Sequence, residues 1–207
     1  PLRILRPLQN CSNLNDPQRP TAKNQVNLHY WYPGHGARQN LGEYLSNVVV
    51  DYAKTYHGIA TSPRRTRHLY AVGSIITVGI QNTTIWGSGL LEDPTQMGNY
   101  IRILHSNWLR KLDIRAVRGP HTRAAMLKLG HHCPEIYGDP AILMPRIYTP
   151  ISQRGTESYC LIRHARDTQS TPGDLSIRTS DYGSFIERLW TSQRVISSSL
   201  HGIILAE

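Results

Sequence analysis

A chain of 207 residues with 23 Lys and Arg against 14 Asp and Glu carries a formal net charge of +9, and 39% of it is hydrophobic, an ordinary globular balance. That length holds one large domain or two small ones at ~100–200 residues per domain. No apolar run approaches the ~20 residues that span a bilayer, and the first residues lack the apolar core of a signal peptide.

Cys11, Cys133 and Cys160 are odd in number and widely spaced, which argues against a disulfide framework and for a reducing, cytoplasmic setting. His131-His132-Cys133 is the one cluster of metal-ligand type, but adjacent residues do not converge on one ion and no second cluster has zinc spacing. No metal is expected. Nineteen of the 23 basic residues are arginine, whose planar fork suits carboxylate and phosphate. The arginines are scattered except for Arg64-Arg65-x-Arg67, and no aromatic nucleic-acid-binding motif accompanies them, so nucleic acid is not the expected partner.

Residues 1–26, rich in Pro, Asn and Gln, read as an irregular lead-in. "NLHYWY" (27–32) alternates like a strand. In "NLGEYLSNVVVDYAKTYHG" (40–58), Leu41, Tyr44, Leu45, Val48, Val49 and Tyr52 form one apolar helical stripe. Asn40 with Glu43 three residues on is a capping-box variant, and Gly58 a stop signal. Strands follow in "HLYAVGSII" (68–76), "TTIWGSGLL" (83–91) and "DIRAV" (113–117). "RGPHTRAAMLKLG" (118–130) is strand end, turn and helix, with Pro120 in the first turn and Gly130 just past the last. "EIYGDPAILMP" (135–145) reads as a short strand and a loop. After the proline-flanked stretch near 146–157 a second series begins: strand "YCLIRHARD" (159–167), a loop around 168–180, helix "DYGSFIERLW" (181–190), strand "RVI" (194–196), then "SSSLHG".

Strands alternating with helices predict parallel sheets in an α/β protein. The expected organisation is two Rossmann-like units, 27–150 and 151–207, the second incomplete because "GIILAE" ends in mid-pattern.

In open α/β sheets, ligands bind beyond the carboxyl ends of the strands. Three motifs fall there. Val117-Arg118-Gly119-Pro120 puts an arginine beside a helix start, whose free N–H groups favour anions. Ser197-Ser198-Ser199-Leu200-His201-Gly202 repeats that geometry with hydroxyls and an imidazole. Tyr137-Gly138-Asp139-Pro140 is a tight turn with one carboxylate. Each alone also reads as a cap or a common turn; together they read as a site for phosphate and carboxylate. No dinucleotide fingerprint or P-loop is present.

The ordered set "QNLGEYLS", "AVGSII", "TTIWGSGLL", "IRAVRGPHTRAAMLKLG", "EIYGDPAILMP" and "VISSSLHGIILAE" resembles the polysaccharide pyruvyltransferase family, above all the ketal pyruvyltransferases of bacterial exopolysaccharides such as xanthan. The resemblance implies a GT-B-like pair of Rossmann-like domains with a cleft between them. It implies transfer of a pyruvyl group from phosphoenolpyruvate to two hydroxyls of a sugar or lipid-linked oligosaccharide, giving a cyclic ketal and phosphate. No cofactor is needed, and membrane contact would be peripheral, at the inner face. Arg118 then corresponds to a donor-binding fork, His201 to the proton donor, Ser197, Ser198 and Ser199 to the phosphate lining, and Asp139 and Asn40 to further binding positions.

The chain also departs from the family. Asn40-Leu41-Gly42-Glu43 stands where Asn-x-Gly-Asp is common, which leaves that carboxylate open between capping and substrate binding. Ser199 stands where some members have arginine, so a second cation is expected from Arg163 or Arg166. Arg163-His164 replaces a usual Pro-His, and His164 is the rival to His201 as acid. Two other classes compete: a GT-B-like glycosyltransferase using a nucleotide sugar, and a non-catalytic protein that holds anionic polysaccharide through its arginines.

Overall fold

The computed structural model describes residues 27–31, 39–57, 68–167, 171 and 173–207. The expected lead-in, the loop after Trp31, the Arg64–Arg67 cluster and the Gly58 stop lie outside them.

Short β-branched and aromatic runs give four strands, β1 (Asn27–Leu28), β2 (His68–Tyr70), β3 (Thr83–Trp86) and β4 (Leu112–Ala116), paired parallel in chain order. α1 (Leu41–His57) and α2 (Asn99–Leu104) occupy two of the connections, as parallel pairing requires a crossover. α2 has no counterpart in the sequence reading. It buries none of its residues, so it lacks the periodic stripe that marks a helix. α3 (Pro120–Lys128) begins where expected, with Pro120 as its first residue behind an extended Gly119. Beneath it Tyr70, Ile76, Ile85, Ile114 and Met126 form one buried core.

"GDPAIL" is not a loop. Tyr137 makes a single parallel bridge to Val117, and Asp139 then starts a 3-10 turn (Pro140–Leu143) that runs into α4 (Met144–Ile147). The second sheet has β5 (Cys160–Arg163) between β6 (Leu175–Ser176) and β7 (Val195–Ser197), all parallel, with α5 (Tyr182–Trp190) leading into β7 and α6 (Leu200–Ile204) following it. β6 falls within the loop expected around 168–180; two residues carry too little pattern to announce a strand.

α1 falls in the first unit by order, and its stripe packs with Val72, Ala141 and Met144 of that unit as well as reaching the second. Leu41, Leu45 and Val49 share a core with Ile162, Phe185 and Leu189 of the second sheet's layer. The Leu41 amide donates to the Ile177 carbonyl (2.8 Å), while Ser46 Oγ donates to the Val72 carbonyl (3.0 Å). α1 therefore bridges the two sheets. Truncating Leu45 to alanine there would cost ~2–5 kcal/mol.

The link between the sheets is anchored by Glu187 of α5, whose carboxylate accepts from Tyr148 Oη (2.7 Å) and from the Ile151 and Ser152 amides (2.9 and 3.1 Å). At the amino end of the first sheet Arg110 is fully buried. Its Nε donates to the Gln81 carbonyl (2.9 Å), its Nη1 donates to the Ile76 carbonyl, and its guanidinium lies 5.8 Å from the Tyr70 ring centre.

Candidate functional site

Four side chains that precede or follow different elements meet where the carboxyl ends of both sheets face each other. Arg118 follows β4, Asp139 opens the 3-10 turn, His201 lies in the first turn of α6, and Glu43 lies in the first turn of α1. Asp139 is the centre. Its Oδ1 accepts the Ala141 amide (3.0 Å) and so caps the turn. Its Oδ2 lies 3.2 Å from Arg118 Nε and 3.6 Å from His201 Nε2. Arg118 Nη1 donates to Ser74 Oγ (2.9 Å), which leaves Nη2 buried with no hydrogen-bond partner among the described residues.

Glu43 completes the group. Its Oε2 is buried and likewise has no hydrogen-bond partner among the described residues. Burial pushes the carboxyl's pKa up; the charges of His201 and Arg118 and an amide from Trp31 oppose this, and Asp139 reinforces it. Burial wins.

Glycines make the room. A Cβ on Gly42 would overlap the His201 imidazole, one on Gly73 would overlap the Glu43 carboxyl, and one on Gly89 would press on the Arg118 guanidinium. Gly73 also sits at φ +107°, a conformation that other residues rarely adopt. The chain after β2 is fixed to the chain after β3 through Gly73: its carbonyl accepts from Ser88 Oγ (2.7 Å) and from the Gly89 amide (3.0 Å). These segments, "AVGSII" and "GSG", looked like strand and turn in the sequence. Their glycines are instead spacing around a polar cluster.

The structure thus brings together Arg118, Asp139 and His201, and adds Glu43. Asn40 serves α1 as its cap, with Oδ1 accepting the Gly42 amide (3.0 Å). The reciprocal half of the capping box is not used, since the Glu43 carboxyl lies against Gly73 instead. Ser197 Oγ closes on its own turn, accepting the Ser199 amide (3.0 Å) and donating to the Ser199 carbonyl (2.9 Å). Ser198 Oγ accepts the His164 amide (2.8 Å) and donates to Asp167 (2.8 Å). Ser199 takes the N-cap position of α6 without a side-chain capping bond.

His164 and Arg163 are not in the cluster. The His164 side chain is exposed at the end of β5, its Nδ1 accepting the Arg166 amide (3.2 Å). Arg163 Nε is 2.6 Å from Asp174 and Nη2 donates to Thr171 Oγ1 (3.1 Å), so its charge is committed to the loop after β5. The second cation expected from Arg163 is therefore absent from this group. Sequence reasoning left Glu43 open between capping and substrate binding, because its spacing from Asn40 fits a helix cap equally well.

Among the described residues no group of three or more His, Cys, Asp or Glu is placed to hold a metal ion. His131, once a possible ligand, is buried and donates from Nε2 to the His105 carbonyl (2.8 Å). No helix among the described residues is long and apolar enough to cross a membrane.

The chain is 24% identical over 200 residues to "Uncharacterized protein L143" of Acanthamoeba polyphaga mimivirus. The alignment takes in 90% of this chain and 65% of that protein. The chain thus spans about two thirds of the length of the curated relative it matches. No family model and no solved structure matches the chain.

Proposed function

We propose that the protein transfers a pyruvyl group from phosphoenolpyruvate to two hydroxyls of a sugar, in an exopolysaccharide or its lipid-linked repeat unit, forming a cyclic ketal and releasing phosphate. The observation that carries this reading is Arg118. A guanidinium that is largely buried, with Nη2 unpartnered and a carboxylate and an imidazole beside it, suits a small donor bearing both a carboxylate and a phosphate. The site lies at the carboxyl ends of parallel strands, the place where such sheets hold anionic ligands.

In this reading Arg118 binds the donor, and His201, aligned by Asp139, moves protons during the reaction. The reaction needs neither metal nor cofactor. The two parallel sheets correspond in this reading to a GT-B-like pair. The setting is cytoplasmic, with the acceptor presented at the inner face of a membrane through peripheral contact.

The test is incubation with phosphoenolpyruvate and a lipid-linked oligosaccharide. Acceptor-dependent phosphate release is the expected result. Consumption of a nucleotide sugar would replace this reading with glycosyl transfer, and saturable binding of an anionic polymer without turnover would replace it with a binding role.

A further inference from the structure

Ketal formation from an enol phosphate has a definite proton account. One proton must be placed on the methylene carbon, and two must leave the sugar hydroxyls. A group that can start the reaction must therefore hold a proton before anything else happens, and a second group must be ready to receive one.

The cluster contains two carboxyl groups, Asp139 and Glu43. Asp139 accepts a backbone amide on Oδ1, and its Oδ2, without a hydrogen-bond partner among the described residues, lies 3.2 Å from Arg118 Nε and 3.6 Å from His201 Nε2. Glu43 has a buried Oε2 with no hydrogen-bond partner among the described residues, pressed into the space that Gly73 leaves open. Leaving a buried charged oxygen without a partner is costly, whereas a neutral carboxyl can stay there.

We propose that Glu43 is the acid that protonates the methylene carbon of phosphoenolpyruvate, and that His201 is the base that receives the proton of the first sugar hydroxyl. The proposal rests on the pyruvyl-transfer reading. The steps balance. The Glu43 O–H proton goes to the methylene carbon, whose π electrons form the new C–H bond and leave the adjacent carbon electron-poor. The first hydroxyl oxygen bonds to that carbon while its proton passes to the His201 imidazole. The C–O bond to phosphate then breaks, the phosphate taking the electron pair and receiving the proton from His201. The second hydroxyl closes the ketal and returns a proton to the Glu43 carboxylate, so both groups end as they began.

The groups that face Glu43 among the described residues act in both directions, and burial outweighs those that favour the carboxylate. Burial, the dominant influence, raises its pKa; His201 from α6 and Arg118 after β4 lower it, Asp139 raises it, and the Trp31 amide lowers it. A bound donor adds negative charge, which favours the neutral acid further. Rising pH removes the proton, so the carbon-protonation step should fail on the alkaline side.

The experiment uses the protein with phosphoenolpyruvate in D2O, following deuterium entry into the donor's methylene group by NMR and donor affinity by calorimetry. Wild type should exchange, more slowly as pH rises. Glu43→Gln, which keeps shape and volume, should bind phosphoenolpyruvate within about 3-fold of wild type and exchange ~100-fold more slowly. Glu43→Asp should restore part of the exchange. The folded Gln variant should also gain stability over wild type as pH rises, because the raised carboxyl pKa means that wild type loses stability as pH climbs through it. Exchange by Glu43→Gln at the wild-type rate, or its loss in His201→Gln alone, overturns Glu43 as the acid and leaves the pyruvyl-transfer reading standing. Failure of wild type to bind phosphoenolpyruvate overturns that reading, and this assignment with it.

Discussion

Gly42 and His201 touch across the site: a Cβ at residue 42 would overlap the imidazole. The first turn of α1 and the first turn of α6 are thus fitted to one another, although 159 positions separate them. Gly42→Ala should leave α1 intact, since alanine favours helix over glycine by roughly 0.5–1 kcal/mol. It should also push His201 away from Asp139 and lower acceptor-dependent phosphate release ~10-fold or more. Circular dichroism and a phosphate assay on the same sample separate the two effects; full activity would show that His201 adapts freely.

Arg118→Lys should weaken phosphoenolpyruvate binding by ~1.5–3 kcal/mol, because an ammonium cannot reproduce the parallel bonds of the guanidinium. Calorimetry reads this directly. Unchanged affinity would remove Arg118 from the donor site.

Asp139→Asn keeps an oxygen for the Ala141 amide and removes the charge that Arg118 and His201 share. Donor affinity should hold or rise, since the donor no longer competes with Asp139 for Arg118. Turnover should fall ~100-fold or more as the imidazole loses its orienting partner. Equal losses of affinity and turnover would instead indicate a collapsed site.

Acid should destabilise the first sheet. His105 and His131 are held below the ordinary imidazole pKa by burial, with Arg110 adding repulsion to each, and His29 is lowered by burial and by His68. With folded-state pKa values below the unfolded one, the stability these neutral rings contribute is full above pH ~6.5 and is lost as pH falls through the folded-state values. Urea midpoints should fall between pH 7 and pH 5, and His105→Gln should flatten that slope. The carbonyl of residue 105, which His131 uses, survives the substitution.

Glu187→Ala should release the link between the sheets. Hydrogen bonds from Ser152, the Ile151 amide and Tyr148 hold its carboxyl down to about 2, and the Tyr148 hydroxyl is pushed up to about 12, chiefly by its bond to Glu187. Faster amide exchange at Ile151 and Ser152, with little change at Phe185, is the expected result. Protection unchanged at those two amides would show that the link is held by other contacts.

Local signals carried much of this protein. The stripe of α1, the Pro120 start of α3 and the strands β3, β4 and β5 were legible because periodicity and capping are properties of neighbouring residues. So was the placing of Arg118, Asp139 and His201 at strand ends, since a strand–turn–helix order locates those ends before any fold is known. Local pattern could not say which sheet α1 packs on, because its stripe suits either. Nor could it separate Arg163 from Arg118: both are arginines leaving strands, yet Asp174 takes one, while the other keeps a nitrogen free. Glu43 shows the limit most clearly. In sequence it stands open between helix cap and substrate contact, and only the approach of Gly73 and His201 from distant segments turns it into a buried carboxyl of the site with Oε2 unpartnered, because desolvation depends on what surrounds a group in space and not on what precedes it in the chain.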